Sequence, residues 1–461
     1  MSLKDVSWGP LLNPSLSLSA DEPSFLNVDR QNSAKQRLSQ YEITRAEAWR
    51  YTSLKSIANF ELDTRSTSYE SSWLMSLDEE PISFDSSTPK NKSDESSKLR
   101  ILKLSELATQ SRDSLAERAW TWLKAQMNQA ETMHDLQSLQ YRDGLVLIVE
   151  KDYVAGELSL TPEKIKHSFF TESNYLSLQS SNVWIYLDEG ACLSVIEGFE
   201  SNKESKQNHA QLSLTSMHLS ARSKLDYIRS QEQNRGLETR DLHLGRINAS
   251  VYADACLNLT SLNLGADICR LELDVNLEES RARADLSGLY LGSAKAQLDQ
   301  HLTLRHKAAS CRSSQCFKGA LGAKSLGVFT GRVIVAEGSF DTVADQNNPN
   351  LLLSESAKAV TRPQLEIYND DVECSHGATV GQLDEDALFY LKARGLDEAS
   401  ALRALTSAFV GEIRETLPKP NLKQAIDYSL KQSLGIAFDD HEAEEWLDWE
   451  QILNELDVSE V

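Results

Sequence analysis

The sequence predicts a mainly β core flanked by an N-terminal and a C-terminal α-helical domain, because its hydrophobic period changes twice. Apolar residues recur at helical spacing in the first part of the chain. They alternate with polar residues from about residue 144 to 343, and return to helical spacing after about Gln382. Alternation with a period of two is typical of strands with one buried face. The domains are therefore predicted to span residues 1–143, 144–381 and 382–461.

The turns of the predicted β core carry few hairpin signals. Pro162 is the only proline between Pro89 and Pro349, and Asn-Gly and Asp-Gly pairs are scarce. So long a run of strands without tight turns favours a β-solenoid, in which each strand stacks on the one a coil away. A β-sandwich stays the alternative, since no fixed repeat consensus is visible.

The N-terminal domain is predicted from two helical stretches. One runs from Asp29 to Ala58 and the other from about Leu104 to Leu139, where apolar residues recur near helical spacing. Between them, residues 83–98 form a polar, low-complexity insertion. This insertion holds too little apolar surface to offset the entropy of an ordered chain.

The C-terminal domain is predicted as three short helices followed by an acidic tail. Asp384 and Asp397 are suitable N-caps, Gly395 ends the first helix, and Asn421 begins the third. The tail, residues 439–461, is strongly acidic and contains neither Lys nor Arg. The apolar stripes of the second and third helices are interpreted as packing faces, with a docking surface as the alternative. These stripes consist of Leu402, Leu405, Phe409, Ile413, Leu422, Ile426, Leu430 and Leu434.

Composition and charge argue against several classes of partner. The chain has 47 Lys and Arg against 69 Asp and Glu, which gives a net charge of -22. This charge disfavours nucleic acid and anionic lipid as partners. The longest apolar run, Leu145–Val149, is far too short to span a bilayer, and no secretory signal is visible. We therefore expect a cytoplasmic protein with reduced thiols, no nucleic-acid partner and no membrane association.

Cys374 and His376 are the most suggestive pair of potential ligands. They stand two residues apart on a predicted strand, so their side chains point to the same face. A soft sulfur and an imidazole nitrogen suit iron, an iron–sulfur cluster or zinc. Two ligands do not complete a site, so further ligands must come from elsewhere in the chain or from a partner. Packing without a metal role is the alternative.

The remaining cysteines and motifs give no self-contained active site. Cys311 and Cys316 lack the third cysteine of a ferredoxin-type run and are interpreted as free thiols. Cys192, Cys256 and Cys269 are interpreted as small core residues. No phosphate-binding loop, dinucleotide fingerprint, zincin motif or serine-hydrolase elbow is present. The sequence therefore predicts a protein that is not an enzyme.

The segment Arg362–Asp384, which contains Cys374 and His376, is the most distinctive in the chain. It lies in a characteristic region from about Ser310 to Leu417. Together with shorter segments it resembles the SufD family of subunits of the SUF iron–sulfur cluster assembly system. His376 is followed by glycine, as in SufD, where the homologous SufB family carries a His-Glu pair. The shorter segments are Glu47–Leu54, Ser314–Gly319, Gly327–Gly331 and Gln346–Ser354.

The resemblance implies a right-handed parallel β-helix between two helical domains, in agreement with the hydrophobic periods. It implies a scaffold subunit that pairs with a SufB-like subunit and docks a SufC-like ABC ATPase on its C-terminal helices. Sulfur-donor proteins would be further partners. A transient iron–sulfur cluster would form at the interface with SufB, with His376 as a candidate iron or cluster ligand and Cys374 as an auxiliary thiol. ATP would act only through SufC.

Two other functions stay open from the sequence. A β-helix carbohydrate-active enzyme, such as a lyase, would carry carboxylates with Arg or Lys in an exposed groove. A passive interaction scaffold would bury both Cys374 and His376 with satisfied hydrogen bonds.

Overall fold

The computed structural model of the chain describes the β core and parts of both flanking regions. The described residues are 61–62, 73–82, 98–109, 113–127, 144–162, 175–200, 208–232 and 240–434. The predicted helix over residues 29–58, the polar insertion apart from Lys98, and the acidic tail lie outside the described residues.

The described elements are mostly strands. The strands are β1 (Glu61–Leu62), β2 (Trp73–Leu77), β3 (Glu80–Ile82), β4 (Leu99–Lys103), β5 (Leu145–Val149), β6 (Val154–Pro162), β7 (Tyr175–Leu187), β8 (Cys192–Glu200), β9 (Asn208–Leu219), β10 (Lys224–Glu232), β11 (Asp241–Val251), β12 (Cys256–Asn263), β13 (Ile268–Leu277), β14 (Arg283–Gly292), β15 (Gln297–His306), β16 (Arg312–Leu321), β17 (Leu326–Val335), β18 (Thr342–Leu352), β19 (Lys358–Ile367) and β20 (Val372–Gly381). The helices are α1 (Leu104–Thr109), α2 (Ser114–Met127), α3 (Glu385–Ala393), α4 (Glu398–Arg414) and α5 (Pro420–Leu434).

The core is a parallel β-solenoid built from two sheets. From β5 onwards the odd-numbered strands stack in one sheet and the even-numbered strands in the other, so each coil contributes one strand to each sheet. Pairing between coils is parallel and in register: Ile268, Gln297 and Leu326 hold equivalent positions in three successive coils. The predicted β-solenoid is confirmed, and the β-sandwich alternative is excluded.

Alternation along each strand decides which side chains enter the core. In β13, Leu271, Leu273 and Val275 belong to one continuous apolar core inside the solenoid. Glu272 and Asp274, which lie between them, face outwards and are only partly buried. Successive side chains of a strand point to opposite faces, so the period of two seen in the sequence is the inward and outward pattern of each coil.

The corners of the coils explain the scarcity of hairpin signals. The corners after β9, β11, β13, β15 and β17 each pass through a residue in the left-handed backbone region, and its N–H donates to a carbonyl of the next coil, as from Arg222 to Ala253 at 2.8 Å. The chain advances to the next coil at these corners and does not reverse, so the glycine-containing two-residue turns of hairpins are not required. Corner residues of this kind are Arg222, Asp254, Arg281, Ser310 and Asp341.

The described residues before 144 contain strands as well as helices. β4 pairs antiparallel with β5, and the β2–β3 hairpin pairs antiparallel with β6. α1 and α2 cover the outer face of the first coils, where Leu107 and Leu123 belong to one cluster with Trp184 and Tyr186. The sequence predicted only helices here, because strands as short as these carry too few residues for a period to be read. The division of the chain into three domains stays a prediction.

The C-terminal helices pack on the outside of the solenoid. Asp384 and Asp397 cap α3 and α4 by accepting hydrogen bonds from backbone N–H groups of the first turn, as predicted. The apolar faces of α4 and α5 meet the outer face of the even-numbered strands and are therefore packing faces. The cluster joins Val410, Ile413, Leu417, Leu422, Ile426 and Leu430 to Leu262, Leu264, Leu289, Leu291 and Ala320.

Membrane association gains no support from the described helices. None of them combines the length and the apolar character that crossing a bilayer requires. The cytoplasmic location stays a prediction.

Candidate functional site

The last coil of the solenoid, β19 and β20, forms an open end. Each of these strands has a neighbour on one side only among the described residues, because the two sheet orders end there. Apolar side chains are exposed around this end: Ile367 is 41% exposed, Tyr368 60% and Val380 46%. Unpaired strand edges and exposed apolar side chains are typical of a surface that another protein covers.

Cys374 and His376 lie on the inward face of this last coil. Cys374 is in register with Ala344 of β18, and His376 with Gln346. Ala344 and Gln346 are buried inside the solenoid, so the residues stacked on them also face the solenoid axis. The predicted shared face of the two side chains is confirmed. In an inner coil these positions would be covered by the next coil, but here they face the open end.

The Cys374 thiol is partly sheltered by apolar neighbours. It packs against a small cluster made by Val333, Val335 and Ala344. Partial burial raises the pKa of the Cys374 thiol, and a backbone hydrogen bond from Ala344 offsets part of that rise. The thiol is therefore protonated at neutral pH in the isolated chain, and it must lose a proton to bind a metal.

His376 is exposed at the open end, next to the sheltered thiol. An imidazole nitrogen and a thiolate sulfur can bind iron directly. Among the described residues, no group of three or more His, Cys, Asp or Glu side chains is placed to hold a metal ion. Burial of both side chains with satisfied hydrogen bonds would favour the passive-packing alternative, and the exposed His376 does not provide that support.

Comparison with known proteins identifies the solenoid. Residues 169–409, more than half of the chain, match the family described as SUF system FeS cluster assembly, SufBD core domain. The chain belongs to the SufBD family. The matched region includes the last coil, and with it Cys374 and His376, as well as α3.

Individual SufBD relatives support the same assignment. The chain is 31% identical over 248 residues to the iron–sulfur cluster assembly protein SufD of Escherichia coli, covering 54% of this chain and 57% of that protein. It is 30% identical over 210 residues to a SufBD family protein of Synechocystis, covering 46% of each chain. A SufBD family protein of Mycobacterium bovis is 31% identical over 203 residues, covering 42% of this chain and 51% of the relative. The chain thus spans about half the length of the curated relatives it matches. These similarities confirm the predicted resemblance to SufD.

The other cysteines of this SufBD chain all precede the last coil. All six cysteines are free thiols. Cys269 and Cys311 are buried in the solenoid core. Cys192 and Cys256 were predicted as core residues, but both are half-buried on the outer face, in register with Lys224 between them. They follow the period of the strand, which places them on the face opposite to the leucines that come next.

A buried polar cluster inside the SufBD solenoid was not predicted. Arg229 is almost completely buried, and its guanidinium donates to Asn263 Oδ1 at 3.1 Å and lies 2.7 Å from His243 Nε2. Burial lowers the pKa of His243 well below its usual range, so the ring is neutral and accepts the hydrogen bond from Arg229. The sequence did carry a signal, since Arg229 continues the inward alternation of Leu225 and Tyr227.

Proposed function

We propose that the chain is a scaffold subunit of a SufBCD-type complex, in which it provides His376 and Cys374 for assembling an iron–sulfur cluster. The cluster is the cargo of this complex and forms transiently between this chain and a SufB-like subunit. One observation carries the proposal: the last coil holds both side chains on its inward face, where no further coil covers them. The SufBD family relation favours this function over the β-helix lyase alternative.

The open end supports an end-on interface with a second solenoid. Within the part of the chain that the structure describes, no strand pairs with the outer edges of β19 and β20, so a coil of similar geometry can pair with their backbone N–H and C=O groups. Ile367 and Val380 would then be buried between the two ends. A SufB-like subunit in this position would supply the remaining cluster ligands across the interface, next to His376.

A SufC-like ATPase would dock on the C-terminal helices, and ATP would act only through it. The apolar stripes of α4 and α5 were the candidate surface, but their members Ile413, Ile426 and Leu430 pack on the chain's own solenoid. α3 offers the alternative surface, because Phe389 is 73% exposed and Tyr390 55%. We therefore place the proposed SufC contact on α3. Sulfur-donor proteins remain expected partners, and the subunit itself is not expected to be catalytic.

The test is cluster assembly on the reconstituted complex. The chain would be co-purified with SufB-like and SufC-like subunits and supplied anaerobically with iron and sulfide, and the visible absorption of the cluster would be measured. His376→Ala should abolish the absorption while the complex still forms, because only a ligand is removed. Ser375→Ala is the matched control, since Ser375 faces outwards on the same strand and bonds to Asp345.

The outcomes separate the parts of the proposal. Normal cluster absorption in His376→Ala would refute the role of His376 as a ligand. Failure of the wild-type chain to form a complex would refute the proposed partners. If Ser375→Ala also loses the absorption, cluster assembly depends on the intact structure of β20 and not specifically on the imidazole of His376.

A further inference from the structure

Three polar side chains form a column inside the last coils. Gln315 of β16, Gln346 of β18 and His376 of β20 hold equivalent register positions. Gln315 and Gln346 are both completely buried, and Gln346 Nε2 donates to Gln315 Oε1 at 2.9 Å. Stacked amides of this kind form hydrogen-bonded ladders, in which each amide donates to the oxygen of the strand before it.

The ladder is incomplete at Gln346. Among the described residues, no group donates to Gln346 Oε1, although this oxygen is buried. An unsatisfied buried oxygen destabilises the folded state, so such oxygens are normally paired. In such a ladder, the group that donates to an amide oxygen comes from the next strand. The equivalent residue on the next strand is His376. Neighbouring strands lie about 4.8 Å apart, which brings an imidazole N–H within reach of the amide oxygen.

The opposite sheet keeps space for this amide. A Cβ atom at Gly331 would lie only 2.4 Å from Gln346 Nε2 and 2.7 Å from a ring carbon of Phe329. Any larger residue at this position would therefore displace the Gln346 side chain. The absence of a side chain at Gly331 therefore leaves room for the amide of Gln346 in the column.

We propose that Gln346 is a positioning residue for His376, an inference that rests on the proposed role of His376. A neutral imidazole has one N–H and one acceptor nitrogen. When the N–H donates to Gln346 Oε1, the other nitrogen keeps its lone pair and faces the open end. Gln346 thereby sets both the orientation of the ring and the nitrogen that is free to bind iron. Outer partners of this type commonly fix the tautomer of a ligating histidine.

The direct test is the position of the ring proton in the full-length chain, without iron. Nitrogen NMR spectra of the chain labelled at histidine report which ring nitrogen carries the proton, and His376→Gln assigns the resonance. We expect His376 to hold a single tautomer in the wild type. Gln346→Leu should shift its ring resonances towards the mixture seen for free imidazole. Gln211→Leu is the matched control, because Gln211 is also a buried glutamine, bonded to Ser181 at 3.0 Å in a distant coil.

A second variant tests the direction of the hydrogen bond. Gln346→Glu keeps an acceptor oxygen but removes the amide donor, so His376 should retain its single tautomer. If Gln346→Leu leaves the ring resonances unchanged, or if Gln346→Glu disturbs them as much as Gln346→Leu does, the proposal is wrong.

The reconstituted complex gives an independent readout. Gln346→Leu should slow cluster formation by roughly 10–100-fold, the usual effect of removing a partner of a ligating histidine. Subunit association should be unchanged. If His376→Ala has no effect, the proposed function fails whatever Gln346 does. If His376→Ala abolishes assembly and Gln346→Leu alters neither rate nor tautomer, only the role of Gln346 is refuted.

Discussion

The two ends of the solenoid differ in how they are closed. At the first coil, every residue of β5 is buried, between β4 at its edge and the helices α1 and α2 on its outer face. At the last coil, no residue of β19 or β20 is fully buried. A solenoid buries its hydrophobic surface only where neighbouring coils or caps cover it. Among the described residues, the chain therefore covers one end of the solenoid and leaves the other uncovered, and the candidate ligands lie at that open end.

The largest expected effect comes from a charge placed at the open end. Val380→Glu should weaken binding of the SufB-like subunit at least about 100-fold, because an unpaired carboxylate would be buried in the interface. Val154→Glu makes the same change at β6, near the closed end, where Val154 is 71% exposed, and should leave binding unchanged. Analytical ultracentrifugation of the mixed subunits measures both. Equal binding by Val380→Glu and the wild type would mean that the open end is not the interface.

An effect on the free energy of unfolding is expected from matched truncations at the two ends. Leu147 of β5 is completely buried, so Leu147→Ala should lower the free energy of unfolding by about 2–5 kcal/mol. Leu365 of β19 is only partly buried, and Leu365→Ala should lower it by about 1 kcal/mol. Urea titration of the isolated chain gives both values. If both variants lower the free energy of unfolding by the same amount, the two ends do not differ in packing.

The pH dependence of stability tests whether the two ends also differ in how they respond to protonation. Burial lowers the pKa of His218, near the closed end, and of His306, near the open end, to about 4 in each case, from 6.5. The unfolded chain therefore takes up protons first as the pH falls, so stability should be lost between about pH 6.5 and 4, by about 2 kcal/mol per histidine from pH 7 to 5. His218→Gln and His306→Gln should each make this loss shallower. A pH dependence that only His306→Gln reduces would show that acid weakens the open end selectively.

Much of this fold could be predicted from the sequence, because the inward and outward alternation is strict. The spacing of Leu271, Leu273 and Val275 predicts a strand. The scarcity of hairpin signals predicts a chain that does not reverse its direction from one coil to the next. The antiparallel strands at the closed end could not be predicted, since β4 is only Leu99–Lys103 and its register depends on β5. The alternation of the strand places Arg229 inward, but the polarity of Arg229 and His243 argues against burial, which only their hydrogen-bonded contacts in the fold make favourable.

The sequence predicts which two residues form the candidate site, but it does not predict where in the fold they lie. The spacing of Cys374 and His376 is enough to put both side chains on one face of a strand. Their strand is the last of its sheet in the described structure. A local sequence pattern cannot predict this position, because it depends on the number of coils that precede the strand. Gln346 carried no signal of its own, since its relation to His376 arises only when β18 and β20 stack in register.

The regular stacking of the coils has a consequence for how such molecules change length. Because each coil repeats the register of the one before, as at Ile268, Gln297 and Leu326, removing or duplicating a whole coil would shift everything beyond it by one strand spacing, about 4.8 Å, without altering its own geometry. The length of the solenoid therefore changes only in steps of one strand spacing. Evolution or design can thus move the terminal coil towards or away from α1 and α2 in discrete steps, while the positions of Cys374 and His376 within that coil stay the same.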